Sequence, residues 1–79
     1  MRYIAHHRFK ELALCGERLN LPYGTELRAA DGVIATLDGK AVCNVSSENA
    51  QRHFSRDDDG KGLERGALAY ALAYGGRDA

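Results

Sequence analysis

The sequence predicts an α+β fold: a small, bent antiparallel sheet or partly open barrel of about five strands, followed by two helices. Three observations predict it. Two Asp-Gly pairs, Asp31-Gly32 and Asp38-Gly39, bracket the apolar run Val33 to Leu37, and Asp-Gly supplies the positive φ that a two-residue hairpin loop needs. Short β-rich runs precede them. At Ser46 the apolar spacing changes from the two-residue period of strands to that of helices. Residues 1–79 are expected to form one domain, β-rich over 1–45 and helical over 46–75. A chain of 79 residues buries only about 60% of its unfolded surface, so its stability should be modest.

The first two strands are expected at residues 2–7 and 11–15. Arg2-Tyr3-Ile4-Ala5-His6-His7 is rich in β-formers and Glu11 to Cys15 alternates before Gly16, so the two read as a first hairpin. Leu19-Asn20-Leu21 is a short extended piece, and Pro22-Tyr23-Gly24 turns the chain, with Pro presetting φ. A meander follows at 25–30, 33–37 and 40–45. Two-residue loops would place Ala30 opposite Val33 and Leu37 opposite Lys40. One face then collects Leu27, Ala29, Ile34, Thr36, Ala41, Cys43 and Val45 as the core. The other carries Glu26, Arg28, Ala30, Val33, Ala35, Leu37, Lys40, Val42 and Asn44.

A first helix is expected at 47–54, capped by a serine hydroxyl with Glu48 in its first turn, and the polar run Ser55 to Gly60 ends it. A second should occupy 62–74 and stop at Gly75-Gly76. Its stripe Leu63, Ala67, Tyr70, Ala71 and Tyr74 would pack on the sheet, with Leu68 and Leu72 on another side. Gly66 inside it costs about 1 kcal/mol relative to Ala, which a close backbone approach would explain.

Eleven basic and eleven acidic residues cancel, so no global field draws the chain to a polyanion or an anionic membrane. No apolar run approaches the roughly 18 residues that span a bilayer, and no h-region follows Arg2. A cytoplasmic protein without a membrane partner is expected. Asp57-Asp58-Asp59-Gly60 invites a calcium loop, but counting either Gly60 or Gly62 as its sixth residue leaves Gly66 or Leu68 where a bidentate carboxylate is required. The aspartates then serve the start of the last helix. His6, His7, Cys15, Cys43 and His53 contain donors for a metal or a thiol site, yet lack the paired spacing of zinc ligands. His6 and His7 would alternate faces on a strand, so at most one points inward. With no catalytic motif and little room to enclose a substrate pocket of about 300 Å³, no cofactor or small-molecule substrate is expected, and a metal-binding or thiol enzyme using Cys15, Cys43 and the histidines stands as the third alternative to the two binding readings.

Two binding surfaces stand out. Protein association or self-association would use Val33, Leu37 and Val42 on the sheet and Leu68 and Leu72 on the last helix. Nucleic-acid contact would use the basic and aromatic residues Arg2, Tyr3, Arg8, Phe9, Lys10 and Arg18. Arg2-Tyr3-Ile4-Ala5-His6, Leu21-Pro22-Tyr23-Gly24-Thr25-Glu26-Leu27, Ser47-Glu48-Asn49-Ala50 and Asp58-Asp59-Gly60-Lys61-Gly62-Leu63-Glu64-Arg65-Gly66 together resemble short uncharacterised proteins of prophages and other mobile elements of Gram-positive bacteria. The resemblance spans nearly the whole chain. It implies a cytosolic accessory role and assigns no activity or functional residue.

Overall fold

The computed structural model describes residues 1–74. In chain order these form β1 (Arg2–Ala5), β2 (Phe9–Leu12), β3 (Arg18–Leu21), β4 (Glu26–Ala30), β5 (Val33–Thr36), β6 (Ala41–Asn44), α1 (Glu48–His53), β7 (Phe54–Arg56) and α2 (Gly62–Ala73). Five strands curl into one antiparallel sheet in the order β6-β5-β4-β1-β7, and β2 and β3 form a separate ribbon. This is the expected α+β arrangement of one bent sheet and two helices. The expected stop at Gly75-Gly76 lies outside the described residues.

Asp31-Gly32 makes the predicted tight loop. Both residues have positive φ, at 53° and 78°, and Ala30 pairs with Val33. The second loop is one residue longer than expected. Thr36 N–H donates to the Lys40 carbonyl at 2.9 Å and Lys40 N–H returns a bond to Thr36 Oγ1 at 2.9 Å, so Leu37-Asp38-Gly39 is the connection, with Gly39 left-handed. A three-residue loop with glycine in that position is a common hairpin closure. The extra residue is undone by a bulge: Ala35 pairs with Ala41 and Ile34 with Cys43, leaving Val42 over. Ile34 and Cys43 therefore face each other as the two-residue count predicts. Val42 was expected on the opposite face, but the bulge turns it into the core, where it is 2% exposed.

The expected hairpin between 2–7 and 11–15 does not form. β1 pairs with β4 and β7, while Phe9–Leu12 pairs with Arg18–Leu21 around a turn at Ala13 to Glu17. The left-handed Gly16 (φ 90°) lies inside that turn, so the second strand starts and ends earlier than alternation alone indicates. A strand also forms where a loop was expected. After α1 the chain runs along the free edge of β1, pairing Ala5 with Phe54 and Ile4 with Ser55, because an unpaired edge offers hydrogen bonds that a three-residue segment cannot make alone.

Tyr3, Ala5, Leu27, Ala29, Ile34, Cys43 and Phe54 meet on one face of the sheet. Phe9 and Leu21 of the ribbon and Ala50 of α1 close over it as a single core. Phe9, Leu27, Ile34 and Val42 are its largest fully buried side chains, each stabilising the fold by about 1.5–3 kcal/mol. Ser47 caps α1 by accepting the Ala50 N–H at 3.1 Å. α2 crosses the other face, over Ile4, His6 and Ser55, and touches it through Gly62 and Gly66. Its first N–H, at Gly62, donates to the buried carboxylate Asp57 Oδ1 at 2.7 Å. Asp59 accepts the Lys61 N–H at 3.0 Å and an Arg65 N–H at 2.6 Å. Asp58 accepts from Arg2 N–H and Arg56, both at 2.9 Å. The acidic run thus spends its carboxylates on the start of α2 and its neighbours.

Candidate functional site

The chain leaves β1 at Ala5 and turns through His6, His7 and Arg8 before β2 begins at Phe9. That turn runs beside the end of α1, with the backbone N–H groups of His6 and His7 donating to the His53 carbonyl at 2.8 and 3.3 Å. α2 passes on the other side. The result is an open groove of about 440 Å³ lined by His7, Arg8, Lys10, Glu11, Arg52, His53, Tyr70 and Tyr74.

A continuous stack forms its wall. Arg52 lies over the Tyr74 ring at 4.9 Å, Tyr74 leans on Tyr70 at 4.9 Å, and Tyr70 stacks on His7 at 4.4 Å and 14°. His7 then meets His53 at 5.3 Å, and His53 meets the edge of Phe9 at 5.2 Å. Arg52 also pairs with Glu48 at 3.1 Å, and its guanidinium is held above its ordinary range, first by the bond to Tyr74. Arg8 and Lys10 have no ion-pair partner among the described residues. Arg8, Lys10 and the Glu48-paired Arg52 therefore line a groove whose one lining carboxylate is Glu11.

The imidazoles of the groove are tied to one another and to the backbone. His7 Nδ1 lies 3.2 Å from the Arg8 carbonyl, which can only accept, so that nitrogen carries a proton. His53 Nδ1 lies 3.4 Å from the same nitrogen, so one of the two rings donates to the other. His53 Nε2 has no hydrogen-bond partner, the nearest carboxylate oxygen of Glu11 being 3.6 Å away. His53 is 3% exposed. Burial pushes its pKa below 6.5, the neighbouring His7 adding to the shift and Glu11 opposing it. Arg52 Nε, also shielded from solvent, is a donor without an acceptor. His6 belongs to the same cluster but faces α2: its Nδ1 is 2.7 Å from Ser55 Oγ, and burial lowers its pKa too. Both His6 and His7 pack inward, because β1 ends at Ala5 and strand alternation no longer separates them.

The two predicted surfaces are redistributed. Of the basic and aromatic set, Arg8 and Lys10 reach the groove, and Arg18 lies beyond Lys10 on the ribbon. Arg2 is tied to Glu26 at 2.8 Å and Asp57 at 3.4 Å, Tyr3 is half-buried, and Phe9 is wholly buried in the core. Of the association set, Leu37, Leu68 and Leu72 are exposed, Val33 is half-buried and Val42 is interior. Cys15 is exposed, whereas Cys43 is buried, which pushes its thiol pKa up. Neither lines the groove. Among the described residues no three His, Cys, Asp or Glu side chains are arranged to hold a metal ion, and no helix is long and apolar enough to cross a membrane. Arg52 was not singled out from the sequence, and Tyr70 and Tyr74 were read as packing residues. No spacing signal joins them to His7, since contacts across α1, α2 and the β1–β2 turn bring them together. No family model matches the chain, and neither do any curated protein sequences or solved structures.

Proposed function

We propose that this protein is a small interaction module that associates with a second copy of itself through the outer face of α2. The observation that carries this reading is an uncovered apolar helix. The nine residues from Gly66 to the C-cap Tyr74 include no charge, and Leu68 and Leu72 stand 63% and 81% exposed. They are four apart and so share a face. Only Gly62 and Gly66 of α2 are buried, so the fold itself uses the helix's other side.

A second copy fits this surface because a two-fold contact sets a patch against itself, and an uncharged patch meets its copy without repulsion. The chain's net charge of zero adds no opposition. One face of a helix about 18 Å long supplies less than the roughly 1,200 Å² of a stable interface, so the dimer is weak and reversible. The accessory role implied by the mobile-element resemblance accords with such a module.

Sedimentation over a concentration series tests the reading. The average mass should climb from the 8.6 kDa of one chain toward twice that, and Leu72→Glu should hold it at the monomer by setting like charges together. Leu37→Glu, on the sheet side, should leave association unchanged. A wild-type chain that stays monomeric at about 1 mM overturns the proposal.

A further inference from the structure

We propose that the groove between the β1–β2 turn and the ends of α1 and α2 binds a phosphoryl group, seated against His53 Nε2 and Arg52 Nε. This site is separate from the association surface, since Tyr70 and Tyr74 lie roughly 180° around α2 from Leu68 and Leu72. The inference rests on two independent features. The first is charge: Arg8, Lys10 and Arg52 surround a space with one carboxylate. The second is a pair of shielded nitrogens without hydrogen-bond partners, Arg52 Nε, which can only donate, and His53 Nε2, which donates when the ring is protonated. A buried donor left unpaired is costly, and an oxygen-rich anion drawn in by Arg8, Lys10 and Arg52 would relieve the Arg52 Nε first.

The aromatic stack argues for an anion over a planar ring. Tyr70 is stacked on His7 and leaned on by Tyr74, and Arg52 covers Tyr74. What the groove still offers is N–H groups and positive charge. A phosphate ester and a nucleic-acid backbone share this chemistry, and two probes separate them.

The test is a titration of the full chain at constant ionic strength, with chloride as the control, following the imidazole resonances by NMR. Inorganic phosphate is the first probe and a short single-stranded oligothymidylate the second. Phosphate should shift His7 and His53 saturably, and chloride should not. Arg8→Gln and Lys10→Gln, both surface changes, should each weaken binding by about two- to fivefold, and Arg52→Gln by about tenfold or more. Glu11→Gln should tighten it, by removing the one carboxylate. Tighter, salt-sensitive binding of the oligonucleotide identifies a strand as the ligand; phosphate binding without that gain identifies a small phosphate ester. The proposal is overturned if neither probe shifts the two histidines saturably, or if Arg8→Gln and Lys10→Gln leave phosphate binding unchanged. Leu72→Glu should retain phosphate binding, so this result and the association result stand or fall separately.

Discussion

Gly66 is where one atom decides how α2 sits. A Cβ there would run into the His6 ring and Ser55 Oγ, the pair joined by a 2.7 Å hydrogen bond. Ala is the better helix former by about 1 kcal/mol, but forcing a methyl into this contact costs about 1–3 kcal/mol. His6 and Ser55 are held by backbone pairing on either side, so they yield little. Gly66→Ala should therefore lower the unfolding free energy, by up to about 2 kcal/mol after the propensity gain, as measured by urea denaturation. An unchanged or raised midpoint would show that α2 can shift outward. The cost of glycine inside a helical pattern was legible in the sequence, and so was a close approach as its reason. The neighbour was not. His6 comes from the other end of the chain, and nothing local to Gly66 names it.

At the scale of elements, local chemistry was legible and long-range pairing was not. Asp31-Gly32 fixes its own loop through the φ values it favours, and Ser47 caps its own helix, so both could be read from a few residues. The second hairpin was half legible: Asp38-Gly39 marks the turn, but whether Leu37 joins the loop depends on Thr36 bonding across to Lys40. β7 was invisible because three residues after a helix carry no period, and β1 supplies its hydrogen bonds. The attachment of α2 depends on the same kind of distant partner. Asp57 accepts the buried Gly62 N–H at 2.7 Å and an Arg2 N–H at 3.4 Å. Asp57→Ala leaves that backbone N–H unpaired and should cost about 1–3 kcal/mol, read as a fall in the urea midpoint. Asp59→Ala, at an exposed carboxylate, should cost distinctly less. Equal losses at the two positions would mean that Asp57 acts only through its charge.

For the molecule as a whole, the histidine cluster joins stability to pH. His6 and His53 are both buried, burial being the leading cause of their lowered pKa. In the unfolded chain each titrates near 6.5, so below that pH the unfolded state binds protons that the folded state refuses. The contribution is therefore complete above about pH 6.5 and is lost progressively as pH falls from there toward the folded-state values. Asp58 and Asp59 do not blur this window, because both titrate below 3.8 in the fold, Asp59 at about 2. The three elements that meet at the cluster respond together: protonated His53 would sit against His7 and Arg52, while protonated His6 would press on α2 from beneath Gly66. Glu11 is the one charged side chain facing His53 that eases its protonation, beside the backbone at His7 and Arg8. The unfolding midpoint should thus fall between about pH 7 and pH 5, fall more steeply in Glu11→Gln, and flatten in His53→Gln. A wild-type midpoint that stays level across that range would mean the imidazoles find water or a counter-charge in the folded chain, and the burial that organises the groove would be absent.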